Sequence, residues 1–264
     1  MARDADGAGG DADGAGGRGA VIPWRELQAL FLDAGNTLVS IDFPRMAEAL
    51  AASGIRSDVP ALERAEAAAR PILSRWIGGE QSTEAQGTFR FYLRTVLAQL
   101  PAAADRGDPA LDGLAGALAR ALEPHRGASD ELWCRVLPGV PEALARFRAL
   151  GLRLAVVSNA DGSVERNLRR IGLRQHFDAV IDSAVVGHEK PDPRIFECAL
   201  EALGAPRQRV AHVGDLYHAD VTGARAAGLH AVLLDPYGDW DGVDCARARD
   251  LGELAGRIAQ ARVC

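Results

Sequence analysis

The feature that most narrows the fold is a rhythm running from Leu137-Pro138-Gly139 to the C-terminus, in which short apolar runs alternate with amphipathic stretches that glycine stops. Residues 141–150 read as a helix ended by Gly151. Residues 152–157 read as a strand running into Ser158-Asn159, and 164–171 as a helix ended by Gly172. A short strand over 179–181 and a helix over 193–203, closed by Gly204, come next. A strand over 210–213 then runs into Gly214-Asp215, and a helix over 219–227 is closed by Gly228. A strand over 231–234 and a helix over 250–261 finish the chain. Helix and strand in strict alternation build βα units and a parallel sheet.

The apolar run Ala29–Leu32 starts the same pattern, and the Gly35-Asn36 pair behind Asp33 turns the backbone at once. The rhythm then breaks. Between Phe43 and Trp133, residues 46–52, 60–76, 83–100 and 109–122 carry apolar positions at i, i+3, i+4 spacing, with Gly, Pro and Asp at the joints. The expected architecture is α/β, a Rossmann-like parallel-sheet core of residues 21–42 and 135–264 with an inserted α-helical cap over 43–134. Residues 1–20 repeat the heptad Asp-Ala-Asp-Gly-Ala-Gly-Gly with almost nothing to bury, which predicts a disordered tail.

Composition removes several function classes. A net charge of −6, with arginines interspersed among acids, gives no basic surface for nucleic acid. No apolar run reaches membrane-spanning length, so no membrane partner is expected. Cys134, Cys198, Cys245 and Cys264 form no C-x-x-C pair and no regular framework, which fits neither a zinc site nor disulfides and points to a reducing cytoplasm.

Three strand ends carry polar residues: Asp33, Ser158 with Asn159, and Asp215. In a parallel sheet these ends meet on one edge, where such sheets hold ligands. Phosphoryl transfer through a carboxylate needs a nucleophile, a divalent cation, a donor to the phosphoryl oxygens and a positive charge among the acids. Asp33 is the candidate nucleophile and Ser158 the donor. Asp215 and Asp220 supply hard oxygen atoms suited to Mg²⁺. The charge comes from Lys190, the only lysine in a chain whose other basic side chains are arginines.

Taken together, the motifs resemble those of the haloacid dehalogenase-like (HAD) hydrolases, over residues 26–236. They are Asp33-Ala34-Gly35-Asn36-Thr37-Leu38, Val156-Val157-Ser158-Asn159, Gly187-His188-Glu189-Lys190-Pro191-Asp192-Pro193, and Val213-Gly214-Asp215 with Asp220, Gly223-Ala224 and Ala227-Gly228. The order and separations are those of members whose helical cap follows the first motif. The resemblance implies that Asp33 attacks phosphorus, that Ser158, Asn159 and Lys190 bind the phosphoryl group, and that Lys190 also holds Asp33. Mg²⁺ is then held by Asp33, Asp215 and the backbone carbonyl of Gly35, with Asp220 steadying the site or Lys190. The implied reaction is hydrolysis of a small phosphorylated metabolite. No pattern in 43–134 singles out one metabolite, or an interface with a second copy.

One position departs from the family pattern. Phosphatases of this kind carry a second Asp two residues after the nucleophile as acid and base, and here Gly35 stands there. The departure keeps two alternatives open: a weak or inactive protein that binds phosphometabolites, and a 2-haloacid dehalogenase, against which Asp215 argues. A phosphonate hydrolase is excluded by the lack of a lysine outside position 190. Among the remaining candidates, Asp42 and Asp161 read as turn or cap residues, and Trp76, Tyr92 and Trp133 as packing of the helical segment. The histidines read as surface or packing residues, with His188 a possible substitute for the missing acid.

Overall fold

The computed structural model describes residues 22–78, 82–84, 86–103, 105–122 and 132–263. The N-terminal repeat lies outside the described residues. The chain enters as strand β1 (Ala29–Leu32), buried throughout, and turns through Asp33–Leu38 into β2 (Val39–Ile41). Asn36 takes a left-handed conformation in that turn, with φ of 51°, which an asparagine tolerates better than most side chains.

Four helices follow, α1 (Phe43–Ala52), α2 (Val59–Ile77), α3 (Gln86–Gln99) and α4 (Asp108–Leu122). Asp42 and Asp58 cap the first two by accepting hydrogen bonds from the Arg45 and Ala61 amides. The buried faces of all four, among them Met46, Leu62, Leu93, Val96, Leu111 and Leu118, close on one another as a separate hydrophobic cluster. Trp76 and Phe91 stack within it at 4.4 Å.

Strand β3 (Trp133–Val136) brings the chain back antiparallel to β2, a pairing absent from the sequence reading because both strands are so short. Then come α5 (Val140–Ala149), β4 (Arg153–Ser158), α6 (Val164–Arg170), β5 (Ala179–Asp182), α7 (Ser183–Val186) and α8 (Pro193–Leu203). The chain closes with β6 (Val210–Gly214), α9 (Gly223–Ala226), β7 (His230–Leu234), β8 (Ala246–Ala248) and α10 (Leu251–Val263). The sequence reading gave neither β8 nor α7.

The main sheet has six strands in the order β5-β4-β1-β6-β7-β8, every pair parallel. Hydrophobic clusters cover both of its faces, as a parallel sheet requires. The chain runs outward from β1 through β4 to β5, then crosses back to β6 on the other side. The carboxyl ends of β1, β4 and β6 therefore flank the point where the strand order reverses, the position at which open α/β sheets bind ligands.

Candidate active site

Asp33 follows β1 directly, and its amide donates to the Val213 carbonyl of β6 at 2.9 Å, so the backbone under the carboxylate is fixed by the neighbouring strand. Lys190 Nζ donates to Asp33 Oδ1 and to Asp220 Oδ1, each at 2.7 Å. All three side chains are buried. An ammonium among carboxylates stays charged, and the two acids hold its pKa above the ordinary lysine value against the desolvation that lowers it. The contact with Lys190 occupies Oδ1 and leaves Oδ2 of Asp33 facing Gly35.

Asn159 sets the lysine's position. Its Oδ1 accepts the Lys190 amide at 2.6 Å and its Nδ2 donates to the Lys190 carbonyl at 2.9 Å, with a second Nδ2 bond to Thr83 Oγ1 at 2.8 Å. The Asn159 side chain thus ties Lys190 to Thr83 in the stretch ahead of α3. Ser158, at the end of β4, is buried, and its hydroxyl makes a long 3.4 Å contact to the Asn159 carbonyl.

Both oxygens of Asp220 accept hydrogen bonds. Oδ1 takes Lys190 and lies 2.9 Å from His212 Nε2, and Oδ2 accepts the Leu216 amide at 2.9 Å. Burial raises its pKa, but Lys190 and His212 outweigh that and hold it well below the usual carboxylate range. Its carboxylate sits against the backbone of Gly214, where a Cβ would fall 2.1 Å from Asp220 Cγ, so only glycine fits there. The five-residue step from Asp215 to Asp220 is taken up by a π-helical turn, Tyr217–Thr222, rather than by the simple α-helical start that the sequence suggested. His212, read from the sequence as a packing residue, is fully buried and edge-on to Phe196; desolvation lowers its pKa and keeps the ring neutral.

The structure adds side chains from α2 that the sequence reading passed over. Glu66 and Arg70, an i,i+4 pair, reach the sheet edge from the helical segment. Arg70 Nη2 lies 2.6 Å from Glu66 Oε2, and its Nε lies 3.5 Å from Asp215 Oδ2. Asn36 Nδ2 bridges the same two acids, at 2.8 Å from Glu66 Oε1 and 3.1 Å from Asp215 Oδ2. An i,i+4 pair on a helix is ordinarily a solvated decoration. What gave this one away was its place on the face of Leu62, Ala69 and Leu73, the buried stripe of α2.

Oxygen atoms of Asp33, Asp215 and Asp220 lie within 4.8 Å of one another. Around them four buried carboxylates, Asp33, Glu66, Asp215 and Asp220, face two cations, Lys190 and Arg70, an excess of two negative charges. Desolvation, only partly offset by Arg70 and reinforced by the neighbouring acids, pushes Asp215 up to about 8, and desolvation likewise raises Asp33. Carboxylates short of positive charge behave in this way, and one hard divalent cation matches both the oxygen donors and the missing charge. The residues present therefore fit a divalent metal, Asp33, Asp215 and Asp220 each offering an oxygen to the same spot.

Gly35 follows in the same turn, its backbone bridged to Val39. A Cβ added there would stand 3.6 Å from Cζ3 of Trp133, an indole brought to this spot by the pairing of β3 with β2. A methyl there would pack against the ring at ordinary van der Waals distance. Asp42 caps α1 by accepting the Arg45 amide, and Asp161 closes a turn by accepting the Ser163 amide two residues on. His188 is half-buried.

A model of the haloacid dehalogenase-like hydrolases matches residues 27–228, more than half of the chain. The chain belongs to the haloacid dehalogenase-like hydrolase family. Among its relatives, haloacid dehalogenase-like hydrolase domain-containing protein 3 of Bos taurus is 46% identical over 107 residues, covering 40% of this chain and 42% of that protein. Phosphoserine phosphatase of Thermus thermophilus is 42% identical over 130 residues, covering 48% and 51% respectively. The chain thus spans about half or less of the length of these relatives. The HAD phosphatase of Thermococcus onnurineus superposes with a TM-score of 0.54 at 25% identity, covering 88% of this chain and 98% of the other. Its core is the α/β Rossmann-like sheet of that family. Among the described residues, no helix is long and apolar enough to cross a membrane.

The Trp133 contact carries a prediction for this HAD hydrolase. Gly35→Asp alone is expected to fold, because a Cβ there meets Trp133 at ordinary contact distance, and to gain no activity on alkyl phosphates while the indole stays packed against it. Gly35→Asp with Trp133→Ala is expected to gain where the single variant does not, by about 10-fold. A gain in the single variant, measured as kcat/KM, refutes the steric reading.

Proposed function

We propose that this HAD hydrolase is a Mg²⁺-dependent phosphatase that cleaves a small phosphorylated metabolite through an aspartyl-phosphate on Asp33. The observation that carries this is the state of the Asp33 carboxylate: Oδ1 is held by Lys190, Oδ2 is open, and the excess of two buried negative charges matches one divalent cation. When bound, that cation supplies charge neutralisation for the approach of a phosphate dianion to a carboxylate. Asp33 attacks phosphorus, the Ser158 hydroxyl and the Asn159 amide hold phosphoryl oxygens, and Lys190 fixes the nucleophile while adding positive charge. Asp33 and Asp215, with the Gly35 carbonyl, hold the metal. The residues 43–134 form the cap unit that selects the metabolite over a core of 21–42 and 135–264. The phosphatase names of the Thermus thermophilus and Thermococcus onnurineus relatives support the same class.

A second reading is favoured by one contact, the Trp133 ring over Gly35: a phosphometabolite-binding protein without turnover. Hydrolysis of p-nitrophenyl phosphate separates the two. The expected result is phosphate release that needs Mg²⁺ and stops with a chelator. Binding of phosphorylated metabolites with no release from any of them supports the second reading. Undiminished release in the chelator refutes the metal dependence, and halide release from a 2-haloacid without metal turns the assignment to a dehalogenase.

A further inference from the structure

On the phosphatase reading, the leaving oxygen departs beside residue 35, the position from which related phosphatases protonate it, and here that residue is Gly35. The three heavy atoms nearest a Cβ added there are Cζ3 and Cε3 of Trp133, at 3.6 and 3.7 Å, and Oδ2 of Asp33 at 3.9 Å. The indole edge and the nucleophilic oxygen thus stand within 4 Å of one point. The indole is held from several sides. Trp133 opens β3 opposite Ile41 of β2, and its carbonyl accepts from Asn167 Nδ2 of α6 at 2.6 Å. Tyr92 of α3 backs the ring at a centroid distance of 6.1 Å, and Phe89 lies 6.2 Å from Tyr92 in turn. Trp133 nonetheless keeps part of its surface open, as do Ala34 and Gly35 beside the nucleophile. A fixed, partly exposed aromatic edge at a nucleophile suits a flat apolar group.

We propose that the preferred substrate is an aryl phosphate, whose ring packs on Trp133 and departs as a phenolate without a proton donor at position 35. Two properties of the site point the same way. Glycine offers no acid, so the leaving group has to be stable as an anion: a phenol ionises at a pKa of about 10, an alcohol nearer that of water, roughly 15.7. The indole offers carbon, which gives a ring contact area and a polyol little. In the first step Asp33 Oδ2 bonds to phosphorus, and the bond from phosphorus to the phenolic oxygen breaks with its electron pair on that oxygen, which takes a proton from solvent once released. In the second a water oxygen bonds to phosphorus, the bond to Asp33 breaks, and the protons of that water are divided between the departing phosphate and the solvent. Trp133 is therefore a specificity residue that acts on the leaving group, while the phosphoryl group stays with Ser158 and Lys190.

The test compares kcat/KM for phenyl phosphate, acetyl phosphate and β-glycerol phosphate. The parent is expected to favour phenyl phosphate over β-glycerol phosphate by about 10²-fold or more, the range that acid assistance supplies where it is present. Trp133→Leu is expected to lower kcat/KM about 10-fold more for phenyl phosphate than for acetyl phosphate, which has a good leaving group and no ring. The loss should lie in KM, and Trp133→Phe should restore most of it. Equal losses on these two substrates make the indole a structural prop, and comparable turnover of phenyl and β-glycerol phosphates removes the leaving-group argument; either result, in a protein whose turnover Asp33→Asn still abolishes, overturns the aryl assignment and leaves the phosphatase reading intact. No phosphate release from any of the three, or release that survives Asp33→Asn, overturns both.

Discussion

Asp33→Asn is expected to lower the Mg²⁺-dependent turnover of p-nitrophenyl phosphate by on the order of 10⁴-fold or more, with the protein still folded. Asparagine keeps the shape of the side chain, and its oxygen still accepts the Lys190 bond that now spans 2.7 Å. What it lacks is a carboxylate oxygen able to bond to phosphorus. Lys190 keeps Asp220 at 2.7 Å, so no buried cation is stranded. The substitution also halves the excess of buried negative charge, so the variant should bind Mg²⁺ more weakly by calorimetry. Turnover, trapping of the aspartyl-phosphate and melting temperature are read on the same preparation. Residual activity above about a tenth of the parent's is too much for the loss of a nucleophile and would falsify the covalent route.

The sequence made the strand ends visible because a parallel strand writes itself as an apolar run followed by a polar residue and a turn. Asp33, Ser158 and Asp215 come from β1, β4 and the end of β6, which lie side by side in the sheet. Lys190 stood out as the only lysine, and it does bridge Asp33 and Asp220. The missed elements are those whose cause is not local. Strands β2 and β3 are three and four residues long and become strands by pairing with each other across the whole helical segment. The indole beside Gly35 depends on that pairing, so its place was hidden as well. Glu66 and Arg70 were hidden differently. Their spacing on α2 is that of a surface ion pair, and only the docking of α2 against the π-helical turn, through bonds such as Ser74 Oγ accepting the His218 amide at 2.8 Å, buries them.

The buried pair on α2 carries the second large effect. In the parent, Arg70 donates to both oxygens of Glu66, with Nε bonds of 2.9 and 3.1 Å, and stands 3.5 Å from Asp215. Arg70→Met keeps most of the volume and removes the charge, leaving Glu66 and Asp215 with only the Asn36 amide between them. Breaking one side of a buried ion pair costs about 3–5 kcal/mol, because the remaining charge has lost both water and partner. For a chain of this size that corresponds to a fall of roughly 10 °C in melting temperature. The double variant Glu66→Gln with Arg70→Met removes the stranded charge and should recover most of the fall, a recovery that lost packing alone does not predict. Mg²⁺ discriminates further. The single variant has one more unmatched negative charge beside Asp215, so the cation should raise its melting temperature more than it raises the parent's. Equal shifts in the two proteins would show that the pair holds the helical segment to the sheet without sensing the metal site. The expected inequality instead makes α2 part of the electrostatic surroundings of the catalytic carboxylates, so that seating of the helical segment and binding of the cation draw on the same buried charges.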